Sequence, residues 1–243
     1  MRINLRGLFI GASFPLLVWM SGCAKNTPIF SGQCALAQDQ SGTLMSKNET
    51  FPLHVTVDSG FSDDERTAIT AAVAVWNQFG KDHGVPLVFN MTTAALPISY
   101  QNPTKDDCGA GNAQSFYMAH VSSSDEWKTL GNTVYVPGTT LRCSQNSIVT
   151  AQTIYIEDQV LDPTQYQSVA LHELGHSLGL DHSCNAATDS PDFIACSHVA
   201  EDSDYHLAVM FPSLELKGDN GSPPEVKNQL TANDQARTIC EYQ

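Results

Sequence analysis

The sequence predicts an α+β domain, and three observations carry that prediction. Leu53, Val55 and Val57 alternate with His54 and Thr56, the period-2 pattern of a half-buried strand. Ser62 followed by Asp63, Asp64 and Glu65 reads as a capping box with acids in the first helical turn, and Ile69, Val73 and Trp76 then recur at helical spacing. Residues 168–183 read SVALHELGHSLGLDHS, with Leu171, Leu174 and Leu178 forming one apolar helical face and His172 and His176 on another. The 243 residues suit one such domain with an N-terminal appendage, divided as a leader at 1–22, a tether at 23–50 and a folded unit at 51–243.

In chain order, residues 1–22 read as a targeting segment. Arg2 and Arg6 give it a positive start, and the apolar run at 8–20 is too short to span a membrane comfortably. It ends Met20-Ser21-Gly22-Cys23, small residues before a cysteine, which resembles a bacterial lipobox with Cys23 as the lipidated residue; Met stands where Leu is commoner. Ordinary secretion with cleavage nearby is the other reading, and both place the mature chain outside the cytoplasm. Ala24, rather than aspartate, follows the cysteine, so an outer-membrane lipoprotein is expected in a host with two membranes. Residues 24–50 are polar and aperiodic, a tether.

The strand at 53–57 is followed by a helix from Ser62 to about Phe79, then by strands at 85–89, 97–100 and 134–136 and a stronger one at Thr153-Ile154-Tyr155-Ile156-Glu157. Asp162-Pro163 supplies an N-cap and an N1 proline for the helix that carries the histidines. Beyond His182 periodicity fades: 184–207 is rich in Asp, Ser and Cys, and 214–229 contains Gly218, Gly221, Pro223 and Pro224. Thr231 is placed to cap a last helix with Ala236, Ile239 and Cys240 facing inward.

The chemistry is concentrated in H-E-x-x-H-x-x-G-x-x-H, with every fixed position filled. At roughly 5% per residue type, five fixed positions coincide by chance in about one chain of this length in ten thousand. His172 and His176, four apart on a helix, project from one face and can share a metal ion, for which zinc is the usual occupant. Gly179 lets the chain leave the helix, bringing His182 round as a third nitrogen ligand. Three protein ligands leave the fourth position of zinc open for water, the mark of a catalytic site rather than a structural one. Glu173 is not needed as a ligand and is placed to act as general base.

These residues resemble the metzincin zinc peptidases, and Gly179-Leu180-Asp181-His182-Ser183 is most similar to the matrixin branch. The resemblance implies a methionine turn beneath the metal, matched by Ala208-Val209-Met210-Phe211-Pro212-Ser213 with Met210 as its methionine. Pro212 stands where some branches carry a tyrosine ligand, so none is carried over. Leu230-Thr231-Ala232-Asn233-Asp234 resembles the start of the family's last helix, and Ala119-His120-Val121 a segment before an edge strand. By the same resemblance the fold is a metzincin-type zincin, a twisted, mainly parallel sheet with an antiparallel edge strand, and the strand just before the active-site helix, 153–157, would be an edge strand that pairs with extended substrate beside the cleft. Residues 214–229 would wall the specificity pocket.

Of seven cysteines, assigning Cys23 to lipid leaves Cys34, Cys108, Cys143, Cys184, Cys196 and Cys240, an even set that suits an oxidising compartment. Six cysteines allow 15 pairings; nearest neighbours suggest Cys184–Cys196, Cys108–Cys143 and, by remainder, Cys34–Cys240. The net charge of −14, made more negative by loss of the leader's two arginines, makes nucleic acid and anionic lipid poor partners. Bound calcium is a further candidate cofactor, but Asp106, Asp107, Asp202 and Asp204 show no spaced calcium loop and read first as solvated acids. The resemblance offers His54, His83, His120, His198 and His206 as ligands of a structural zinc, but the family's ligand pattern is not matched around His120, and they read first as surface or hydrogen-bonded histidines. No segment with a zinc-blocking cysteine stands out, Cys34 being the remote candidate for one.

The sequence thus implies a monomeric, lipid-anchored zinc endopeptidase of the cell envelope, acting on proteins or peptides. The alternatives are a non-catalytic surface module on the same fold and a zinc hydrolase of small peptides.

Overall fold

The computed structural model describes residues 50–96, 116–132, 136–145, 148–157, 161–184, 195–215 and 223–242. The leader and tether with Cys23 and Cys34, the strand expected at 97–100, and Cys108, Asp106 and Asp107 lie outside the described residues, as do Val134 and Tyr135 of the strand expected at 134–136.

Strand β1 (Leu53–Asp58) buries Val55 and Val57 completely, as their alternation requires. Helix α1 (Asp63–His83) opens on the capping box: the Ser62 N–H donates to Glu65 Oε2 at 2.6 Å, and the Glu65 N–H returns to Ser62 Oγ at 3.3 Å. It runs past the expected end near Phe79 because Gly80 packs inside it and the left-handed cap is Gly84, with φ of 65°. Strand β2 (Phe89–Ala94) begins where the expected one at 85–89 ends. Val85 and Leu87 drop into the core instead, Pro86 has no N–H to offer a ladder, and pairing is delayed until Val88 O accepts from Leu53 N at 2.7 Å.

Strand β3 (Phe116–Val121), which holds the expected pre-edge segment Ala119-His120-Val121, lies inside the sheet. It is followed by a short helix α2 (Ser124–Thr129), which the sequence reading missed and which Ser123 caps and buried Trp127 anchors. Strands β4 (Gly138–Gln145) and β5 (Ile148–Glu157) form an antiparallel hairpin. The sheet order is β2-β1-β3-β5-β4, with β1, β2, β3 and β5 parallel and β4 antiparallel at the edge.

This is the α+β architecture expected, with one correction: the strand before the active-site helix is not the edge. Ile154, Tyr155 and Ile156 are all fully buried, which requires cover on both faces, and β4 takes the edge beyond them. Its composition, GTTLRCSQ, has no apolar alternation to reveal it.

A short 3₁₀ turn (Pro163–Gln165), capped by Asp162 through Thr164 N at 3.0 Å, leads into helix α3 (Tyr166–Ser177). Helices α1 and α3 share the main core with β1, β3 and β5, and Trp76 Nε1 donates to Leu171 O at 3.0 Å between them. The opposite face of the sheet packs Ala119, Val121 and Tyr155 against Trp127 and Leu130.

Helix α4 (Ala232–Tyr242) starts on Thr231 as expected, with Asp234 N donating to Thr231 Oγ1 at 3.4 Å and Thr231 N to Asp234 Oδ2 at 3.0 Å. Its most buried side chains are Asn233, Asp234, Arg237 and Thr238; Ala236, Ile239 and Cys240, expected to face inward, are only half-buried. The helix docks through these polar groups together with Ile239 and Tyr242, which pack half-buried against the main core.

Candidate active site

The three histidines converge because the helix ends as it does. Helix α3 closes in a Schellman motif: Gly179, with φ of 99°, donates to His176 O at 3.0 Å, and Leu180 N donates to Gly175 O at 3.1 Å. A side chain at 179 would resist that backbone angle. The turn carries His182 back over the helix, so that His176 Nε2 and His182 Nε2 stand 3.2 Å apart. One ligand nitrogen from each of His172, His176 and His182 falls within a 4.8 Å cluster, the one such group of three or more His, Cys, Asp or Glu among the described residues.

Backbone carbonyls fix the rings. His172 Nδ1 lies 2.7 Å from Val209 O and His176 Nδ1 lies 2.8 Å from Leu180 O, which puts the ring protons on Nδ1 and leaves Nε2 lone pairs facing inward. Burial and neighbouring charge push the His172 imidazole down to about 3, and burial lowers His176 and His182 as well, so all three are neutral ligands at neutral pH. The donor set fits zinc: two nitrogens bound at ~2.0–2.1 Å in tetrahedral array lie about 3.3 Å apart.

Met210 lies below. It is fully buried, its sulfur packs against the missing Cβ of Gly175, and its carbonyl accepts from Ser183 N at 2.8 Å. The backbone N–H groups of Val209 and Met210 donate to the two carboxylate oxygens of Asp234 at 2.9 and 3.1 Å. Helix α4 thus holds the turn whose carbonyl holds His172. It also reaches the third histidine, since Arg237 Nη2 donates to Asp181 O at 2.7 Å.

Glu173 is 4% exposed, and burial pushes its carboxyl up to about 7, opposed by a hydrogen bond from Thr140 and the charge of Arg142. The cleft in front of these groups, about 480 Å³, is lined by Gly138, Thr139, Thr140 and Arg142 of β4 on one side and by Val169, Phe211, Pro212 and Leu214 on the other. Leu214 and Lys227 therefore line the cleft from the segment expected to wall it; residues 216–222 are outside the described set.

All the motif residues are brought together, and Cys184–Cys196 closes the loop after His182 as a disulfide with Cα atoms 5.1 Å apart. Cys143 and Cys240 are also in disulfides, while the pairings expected for them, with Cys108 and Cys34, involve residues outside the described set. Of the other histidines, His83 lies against Phe79, His120 against Phe61 and His206 against Phe211. Sequence reasoning missed Thr140, Arg142, Asp234 and Arg237. Only Asp234 left a signal, as the N3 acid of the Thr231 cap.

The matrixin family model matches residues 45–188, from ahead of β1 to just past the third histidine. A solved structure, metalloproteinase-II from Bacteroides fragilis, is similar at 15% identity with a TM-score of 0.40, over 81% of this chain and 55% of that one. The chain therefore spans about half the length of that protein. A comparison with curated proteins finds no match.

Proposed function

Because the chain belongs to the matrixin family, we propose that it is a zinc-dependent endopeptidase that cuts polypeptides bound in extended form along β4. The observation that carries this reading is the neutral three-histidine cluster, its rings oriented by backbone carbonyls, beside a buried carboxyl at the wall of an open cleft. His172, His176 and His182 would hold the metal. Zinc, when bound, supplies the Lewis acid that polarises the scissile carbonyl and favours charge on its oxygen.

The chain's own groups do the rest. Glu173 takes the proton of the attacking water and returns it to the leaving amine, a role suited to a carboxyl whose burial brings it toward neutrality. β4, the edge of the sheet among the described residues, offers backbone donors and acceptors to a substrate strand, which favours polypeptides over small peptides. Val169, Phe211 and Leu214 give the cleft an apolar wall for a substrate side chain. Met210 gives the histidines a packed floor.

Glu173→Ala should retain one zinc per chain and lose turnover by about 10²–10⁴-fold. The check is cleavage of an unfolded protein with and without a zinc chelator, beside metal analysis of the variant. Chelator-sensitive cutting absent from the variant supports the peptidase; zinc-loaded wild type that cuts nothing fits the non-catalytic module instead.

The same reading places the protein in a bacterial envelope, attached through lipid on Cys23. It is supported by the positive, apolar leader ending in small residues before that cysteine and by the disulfide among the described residues.

A further inference from the structure

We propose that Thr140 is a positioning residue that holds the Glu173 carboxylate for proton transfer, so that the strand along which substrate pairs also sets the base. The inference rests on the assignment of Glu173 as proton acceptor given above.

Strand alternation puts Gly138, Thr140 and Arg142 on the same side of β4, and each meets helix α3 differently. Gly138 makes room. A Cβ there would stand 2.6 Å from Glu173 Oε1, 2.9 Å from Glu173 Cγ and 2.8 Å from Val169 Cγ1, so the carboxylate lodges beneath the strand only where a side chain is missing. Thr140 holds what lodges there. Its hydroxyl lies 2.6 Å from Glu173 Oε2 and 3.2 Å from Glu173 O; the single proton goes to the carboxylate, the shorter and charge-assisted bond. Arg142 fastens the strand to the helix end, donating from Nη1 to His176 O at 2.5 Å.

Among the described residues, Thr140 is the one side chain that donates to this buried carboxylate. Without the hydroxyl, one oxygen loses its donor while the other remains under the strand, and the side chain turns to find a new partner. A base displaced by about 1 Å costs on the order of 10²-fold in rate without weakening substrate binding. Because Thr140 sits in the strand that would align substrate, alignment and base position are fixed by one piece of backbone.

The test compares zinc-loaded wild type with Thr140→Val, which keeps the shape and removes the hydroxyl, and Thr140→Ser, which keeps the hydroxyl. Glu173→Gln and the Thr140→Val/Glu173→Gln double variant are measured beside them on one fluorogenic peptide. Thr140→Val should lower kcat by about 10- to 100-fold with KM within about twofold, and Thr140→Ser should recover most of it. The valine should have no further effect on the Glu173→Gln background. Crystal structures should show Glu173 moved in the valine variant and unmoved in the serine variant. Wild-type kcat in Thr140→Val, or a loss that serine does not recover and that follows a fall in Tm, overturns the inference. If Glu173→Gln itself turns over at the wild-type rate, the assignment of Glu173 has failed instead, and the crystal structures still report whether Thr140 places the side chain.

Discussion

Gly175 lies one residue before His176, on the side of the helix turned away from the cleft, and the Met210 sulfur occupies the space a Cβ would need. Trp76 Cζ2 stands 3.2 Å from that same point, so an added methyl would be crowded by two buried side chains. Gly175→Ala should therefore cost about 1–3 kcal/mol by overpacking a fully buried contact. It should also weaken zinc, because displacing Met210 disturbs Val209, whose carbonyl fixes His172. Thermal unfolding with and without zinc checks both effects; an alanine variant with unchanged Tm and affinity would mean the floor is softer than its packing implies. At this scale the site was legible wherever its chemistry is local. The His172–His176 spacing, Glu173 and the Gly179 exit need only helix geometry to interpret. Thr140 and Arg142 reach the site through the register of β4 on α3, from more than thirty residues away, and nothing in their own neighbourhood marks them.

Helix α4 joins the site through one carboxylate. Asp234 accepts from Val209 N, Met210 N and Thr231 N at 2.9, 3.1 and 3.0 Å, and from Thr231 Oγ1 at 3.0 Å, in a fully buried position. In Asp234→Asn an amide –NH₂ must face backbone donors, leaving buried groups unpaired at about 1–3 kcal/mol. The expected result is a lower Tm together with faster zinc loss, read by release to a chromogenic chelator. Loss of stability with unchanged zinc release would confine Asp234 to capping. Elements with end signals were read nearly to the residue: the Ser62 box, the Asp162 cap and the Thr231 cap all stand. Strand β4 was missed because an edge strand facing a polar cleft has no apolar rhythm. β5 was misplaced because its central burial appears only once β4 is added outside it.

For the molecule as a whole, charge and attachment follow from composition. A net charge of −14 opposes adsorption to anionic headgroups, so a surface location would depend on a covalent anchor. No helix among the described residues is long and apolar enough to cross a membrane. If lipid on Cys23 is the anchor, Cys23→Ser expressed in a bacterial host should move the protein from the membrane fraction to the soluble one. It should keep one zinc per chain, since Cys23 is not among the residues that would hold the metal. Retention of the serine variant on membranes would assign attachment to something else. Family resemblance implies a mainly parallel sheet, but the order β2-β1-β3-β5-β4 comes from the structure, because alternation identifies a strand without saying which neighbour it takes.

The reach of Asp234 into the methionine turn has a temporal meaning as well. A growing chain that has reached Leu230 already contains the three histidines and the glutamate, but not the carboxylate that fixes the turn holding His172. The turn beneath the histidines is thus braced by a segment that follows it in the chain, and until Asp234 has been made and docked Val209 N and Met210 N lack the carboxylate they meet here.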